Sequence, residues 1–280
     1  MARAVVFSLV VLLHLVPAAI RAEMVTQIIG GDGDGVDTLG SNPRVAAVPD
    51  GTVFTGHNNG TQPVDTVFKV SPSGEITQVL DETGDGTNPL SVLIELAADA
   101  AGNVYAAGRD SKNVFKVTPE GAITQIIDST GDGTTGIGHM GDVAVDNNTG
   151  DVFVSSRTIS PSTGGVFKIT PAGTITLIIS SAGDGTNPLY ALNLAVDAMG
   201  NVYVTSALSD PAYKSVFKVT PGGVITRIMD GTGDGTSPAS PSGVAVDGAG
   251  NVFGLFGDLS GSESGIGGEE RRSGGGLRRG

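Results

Sequence analysis

Apolar and polar residues alternate along this chain in short runs, the period of two that a half-buried strand presents. Beyond the first 22 residues no segment carries apolar positions at helical spacing. One stretch shows the pattern in full. Leu194-Ala195-Val196-Asp197 predicts a short strand, and Ala198-Met199-Gly200-Asn201 a turn. Val202-Tyr203-Val204 predicts a second strand. A variable loop, Ser206 to Lys214, leads to a third at Val216 to Val219. Pro221-Gly222-Gly223 then makes a hairpin turn, with proline presetting φ and glycine permitting a positive φ, and Val224 to Met229 returns as a fourth strand.

This unit recurs. Val216-Phe217-Lys218-Val219 has earlier copies at Val67-Phe68-Lys69-Val70, Val114-Phe115-Lys116-Val117 and Val166-Phe167-Lys168-Ile169, at intervals of 47, 52 and 50 residues. A Gly-Asp-Gly triplet recurs with it, centred on Asp34, Asp85, Asp132, Asp184 and Asp234, with an overlapping copy at Asp32. A fixed period of this length marks a stacked or radial repeat. Four antiparallel strands per repeat predict an all-β fold, a β-propeller of four-stranded blades. A parallel β-helix needs shorter coils without hairpins, and an immunoglobulin-like array needs about 100 residues per unit.

Complete units span 44–80, 94–128, 142–180 and 193–230. A fifth begins at Gly243 and ends after two strands near Gly254, so about five blades are visible, four complete and one composite or incomplete. Val25-Thr26-Gln27-Ile28-Ile29 copies the fourth-strand sequence Ile123-Thr124-Gln125-Ile126-Ile127. Such an orphan strand suits a ring whose last blade is completed by the N-terminus, removing an exposed sheet edge. Either the ring closes at five blades, or the chain is a shortened relative of a larger propeller.

Composition narrows the setting. Residues 1–22 combine Arg3 with an apolar run from Val5 to Ile20 and small residues up to Ala22, which reads as a signal peptide cut near Ala19 or Ala22. The expected product is secreted or periplasmic, without stable membrane insertion. It comprises a propeller over 23–256 and a disordered Gly/Ser/Arg-rich tail over 257–280. No cysteine is present, so disulfides, thiolate metal sites and thiol lipidation are excluded. The formal charge of −13 becomes −15 once Arg3 and Arg21 leave, which disfavours nucleic acid and anionic membranes as partners. An unknown protein or small molecule remains as partner, bound by a monomer.

The motif Ala-Val-Asp-x-x-Gly-Asn-Val-Tyr-Val, at Ala195 to Val204, at Ala245 to Phe253 and in altered form at Ala97 to Tyr105, resembles the NHL-repeat family of β-propellers. The resemblance covers about residues 25–255 and implies the fold. Scaffolds, ligand-binding domains and enzymes all occur in that family, so it does not imply one function. Two similar propeller groups imply chemistry. Gluconolactonase-like propellers bind a divalent metal through Glu, Asn and Asp of inner strands. Streptogramin lyases share hairpins like Thr118-Pro119-Glu120-Gly121-Ala122-Ile123-Thr124 and use a central His with a metal and acidic groups.

Two sets of residues could carry a site. Strand parity gathers the Gly-Asp-Gly loops on one rim, where Asp34, Asp85, Asp132, Asp184 and Asp234 form an acidic crown. It serves either as a ligand-binding rim for cations or basic partners, or as a set of turns whose carboxylates bind local N–H groups. Aligning the inner-strand motif places Glu95, Asp142, Asn193 and Gly243 in one column, with Val45 in the first unit. Glu95, Asp142 and Asn193 could hold Ca²⁺ or another divalent cation at the mouth of the axial channel. One position in a strand reverses a side chain, however, and here the oxygen donors replace a glycine that in the lactonase-like pattern follows them. His57 is expected in a solvent-facing loop and His139 near the channel mouth. The recurring Lys69, Lys116, Lys168 and Lys218 are expected to pack their stems along the blade. These readings make the chain a binding or scaffold module with no catalytic residues assigned. The alternative is a divalent-metal-dependent hydrolase, lactonase-like, or a lyase, with its site at the channel mouth.

Overall fold

The computed structural model describes residues 27–36, 43–57, 65–157, 163–208, 210–233 and 240–257. The first blade holds β1 (Arg44–Ala47), β2 (Val53–His57), β3 (Thr66–Val70) and β4 (Ile76–Leu80). The second holds β5 (Leu93–Ala98), β6 (Val104–Gly108), β7 (Asn113–Val117) and β8 (Ile123–Ile127). β9 (His139–Val145), β10 (Val152–Arg157), β11 (Gly165–Ile169) and β12 (Ile175–Ser180) form the third. β13 (Ala191–Val196), β14 (Val202–Ser206), β15 (Ser215–Val219) and β16 (Ile225–Asp230) form the fourth. β17 (Ser240–Val246) and β18 (Val252–Gly257) pair as a two-stranded sheet. Each complete sheet is an antiparallel meander in chain order, and the one helical element among the described residues is a 3₁₀ turn at Pro211–Tyr213. The expected units are therefore present with bounds shifted by a few residues.

The core lies between blades. Val67 and Leu80 of the first blade pack with Leu93, Ala106 and Phe115 of the second. Two further clusters repeat this between the second and third and the third and fourth blades. The middle strands are consequently buried on both faces, whereas β4, β8, β12 and β16 are partly exposed. β1, β5, β9, β13 and β17 are the first strands of their blades and adjoin one another in that order.

Packing of that kind does not join β17 back to β1 among the described residues. Phe253 and Leu255 on β18 are 47% and 69% exposed, unlike their buried counterparts in β6 and β14. The expected outer strand at 25–29 does not form where the backbone is described: Gln27–Ile29 is irregular and runs into the first Gly-Asp-Gly turn. Val25 and Thr26 lie outside the described residues, as do 1–22 and the tail from residue 258.

The resemblance motif is a turn network. Asp197 Oδ1 accepts the N–H groups of Met199 and Asn201, each at 2.9 Å. Its Oδ2 accepts from Asn201 Nδ2 at 2.7 Å and from the Tyr203 hydroxyl at 3.0 Å. Asp99, Asn103 and Tyr105 repeat this arrangement. Burial and the adjacent carboxylate push the Tyr203 hydroxyl up to about 12. The recurrent lysine crosses the same ring, with Lys218 Nζ 5.4 Å and Lys116 Nζ 5.9 Å from the tyrosine centroids, a cation–π contact added to the expected stem packing. Asp197→Ala leaves Asn201 and the buried Tyr203 hydroxyl without their acceptor. An expected loss of roughly 2–3 kcal/mol follows, checked by urea denaturation. Tyr203→Phe removes one bond and should cost about 1 kcal/mol.

Candidate functional site

The Gly-Asp-Gly loops connect the last strand of each unit to the first strand of the next. Gly84, Gly131 and Gly183 have φ of +63, +63 and +64°, which glycine adopts without strain. A Cβ on Gly84 would lie 1.9 Å from the Asn88 carbonyl oxygen and 2.7 Å from Phe115 Cζ. Gly131 stands in the same relation to Phe167 and Gly183 to Phe217. The triplet thus lays backbone against the phenylalanine of the following blade, so the two recurring motifs are halves of one packing device.

The aspartate between the glycines ties the loop. Asp85 Oδ1 accepts from the N–H groups of Thr87 at 2.9 Å and Asn88 at 2.7 Å. Asp132 binds Thr134 and Thr135 N–H, and Asp184 binds Thr186 and Asn187 N–H, at the same distances. Asp34 accepts from Val36 N–H at 2.9 Å. These bonds favour the ionised form and hold Asp85, Asp132 and Asp184 below the usual carboxylate range. Asp234 lies outside the described residues.

The inner-strand column is set by register. Glu95 faces Ala107, Asp142 faces Ser155 and Gly243 faces Leu255, while Asn193 N–H donates to Thr205 Oγ1. In the first blade the residue at this level is Arg44, opposite Gly56, and not Val45, which pairs with Thr55. The expectation slipped by one residue because Ala47-Val48 mimics Ala-Val of the motif. The backbone instead places Val48 where Asp99 and Asp197 stand, each donating its N–H across the turn. A slip of one exchanges the two faces of a strand. The column is therefore Arg44, Glu95, Asp142, Asn193 and Gly243.

Asp142 is 7% exposed, and its two oxygens accept from Val143 N–H and, on the next inner strand, Leu194 N–H, each at 2.7 Å. Burial, helped by the charge of Glu95, pushes its carboxyl up to about 7 against the opposing pull of these bonds and of Arg44. Glu95 accepts from Leu96 N–H at 3.1 Å, and burial raises its carboxyl too, with Arg44 opposing. Arg44 donates through Nε to the Ile94 carbonyl of the adjacent inner strand. Among the described residues no direct ion pair joins Arg44 to either carboxylate.

Two further residues escaped the sequence reading. Asp65 is 6% exposed and accepts from Val92 N–H at 2.6 Å and Leu93 N–H at 2.9 Å, stapling the first blade to the second. Val92 has φ of +57°, a strained conformation for a β-branched residue, held there by Asp65. His57 is not in a solvent-facing loop. It ends β2, fully buried, and among the described residues neither ring nitrogen has a hydrogen-bond partner. Burial lowers its pKa, with Asp65 opposing. No motif announces Asp65 or Val92, since each is defined by the next blade's position. His139 is exposed at the start of β9, near Asp110, whose carboxyl is held low chiefly by its hydrogen bond from Arg109, with His139 adding a minor share.

No model of a known protein family matches the sequence, and no curated protein matches it. Solved structures do. A virginiamycin B lyase from Staphylococcus aureus is similar at 14% identity and a TM-score of 0.56, over 79% of this chain and 68% of that one. A chain of a nidogen/laminin complex is similar at 13% identity and 0.55, over 78% and 71%. A gluconolactonase from Xanthomonas campestris is similar at 13% identity and 0.53, over 77% and 70%. Identities this low speak for architecture and not for activity. Together with the four meander blades and the Asp-x-x-Gly-Asn turns, they show that this chain has the fold of the NHL-type β-propellers.

Proposed function

We propose that the chain is an exported binding module whose axial mouth takes a polar group of a protein or small-molecule partner. The observation that carries this reading is the mixed charge of the inner-strand column. Arg44 offers a planar fork of donors, suited to a carboxylate. Glu95 offers an acceptor, suited to an ammonium or amide. The two are not paired with each other, so a ligand bearing both groups can satisfy both. Export rests on the signal-peptide pattern of residues 1–22.

Structural neighbours include enzymes as well as a chain of a nidogen/laminin complex, so the test separates binding from turnover. Glycylglycine serves as a zwitterionic probe, with acetate and methylammonium as singly charged controls and a δ-lactone as a hydrolysis probe. Glycylglycine is expected to raise the Tm of the wild type more than either control and to leave Arg44→Gln unmoved. The lactone is expected to hydrolyse no faster than in buffer. Accelerated hydrolysis that Glu95→Gln abolishes would replace this reading with the lactonase-like one.

A further inference from the structure

The fold invites a divalent metal at the inner-strand column, and the side chains present there do not fit one. Glu95, Asp142 and Asn193 supply oxygen donors, but the register adds Arg44 to the same level of the first blade. Its charge acts on both carboxyls, opposing the rise that burial imposes on each. The guanidinium is fixed in place by its bond to Ile94 of the neighbouring inner strand. Both oxygens of Asp142 already hold backbone N–H groups, one of them on the next blade. A second cation brought to these carboxylates would meet the positive charge of the guanidinium.

We infer that Arg44 is the resident cation of the axial mouth, standing in for a metal ion and closing the column to divalent cations. This goes beyond the binding reading and holds whichever partner occupies the mouth. Arg44 offsets the two carboxylates in part, and its Nε bond straps the first blade to the second at the axis. It acts as a specificity determinant: the site can recognise organic groups by hydrogen bonding while excluding Ca²⁺ and Mg²⁺.

The test is a Ca²⁺ titration followed by thermal unfolding. The wild type and Arg44→Lys, which keeps the charge, are expected to show no Ca²⁺-dependent change in Tm. Arg44→Gln leaves two carboxylates and an amide oxygen uncompensated, a set suited to Ca²⁺. Its Tm is expected to rise by about 5–10 °C at a hundredfold excess over Kd. Adding Glu95→Gln and Asp142→Asn to that variant should remove the rise. An Arg44→Gln protein that folds and ignores Ca²⁺ overturns the inference. So does a wild type whose Ca²⁺ response disappears with Glu95→Gln and Asp142→Asn. Should Arg44→Gln not fold, Tb³⁺ luminescence decides: stoichiometric Tb³⁺ binding to the wild type or to Arg44→Lys, lost with Glu95→Gln and Asp142→Asn, overturns it, and its absence supports it. Loss of glycylglycine binding without any gain of Ca²⁺ response would sink the metal inference alone. The converse result would sink only the binding reading.

Discussion

Gly84→Ala is expected to destabilise the propeller by roughly 2–5 kcal/mol, while Gly86→Ala, two residues away, should cost about 1–2 kcal/mol. Both glycines have positive φ, +63 and +83°, so both substitutions carry the strain of a left-handed alanine. Space separates them. Nothing lies within 4 Å of a Cβ on Gly86, whereas one on Gly84 would meet the Asn88 carbonyl and the Phe115 ring. The carbonyl belongs to the loop's own backbone and cannot swing aside, so the loop must lift from the second blade. Phe115→Ala attacks the same contact from the other side. The ring is fully buried among residues of both blades, and its loss should cost about 3–5 kcal/mol. Urea denaturation of the three variants checks the order. Equal losses for Gly84→Ala and Gly86→Ala would show that conformation alone, and not the contact with the next blade, explains the motif.

Raising the pH from about 4 to above 7 is expected to weaken the fold by a few kcal/mol through Asp142. Its folded pKa, about 7, lies above the unfolded value of 3.8, because burial and Glu95 disfavour the charge. Between those values the native state holds a proton that the unfolded chain has released. The associated stability is fully present below the unfolded pKa and is lost as pH rises through 7. A tenfold difference in proton affinity between the two states is worth roughly 1.4 kcal/mol, so about 4 kcal/mol is at stake. Glu95, raised in the same direction, adds to the trend. The rim carboxylates Asp85, Asp132 and Asp184 act oppositely, since their lowered pKa values make their contribution disappear as pH falls below about 4. Asp184 is exposed and Asp85 and Asp132 are only partly buried at the surface, so their share is small. Maximum stability is therefore expected between about pH 4 and 5. Chemical denaturation across pH 4 to 8 tests this, with Asp142→Asn as the comparison. A wild-type profile that is flat across that window, or an Asp142→Asn profile with an unchanged slope, contradicts the assignment.

The sequence by itself determined the repeat, the strand order and the four meander units. These rest on local rules: alternation of two, proline and glycine at hairpins, and aspartate before a tight turn. It also announced the two strands of the fifth unit that the described residues contain, β17 and β18, with no Val-Phe-Lys-Val after Gly254. Whatever depends on contact between blades was decided only by the tertiary structure. Gly84 and Phe115 lie 31 positions apart in the chain and read as separate motifs until one blade is laid on the next. Asp65 looks like an ordinary loop residue, yet it is buried against Val92 and Leu93 of the second blade. Arg44 entered the axial column because pairing with Gly56, and not resemblance to Ala-Val-Asp, sets the phase of the first strand. In a strand that phase is binary, and a one-residue choice decides whether a valine or a guanidinium stands at the level of Glu95 and Asp142. Hydrophobic alternation is nearly blind to that choice in a short first strand, and the backbone hydrogen bonds settle it.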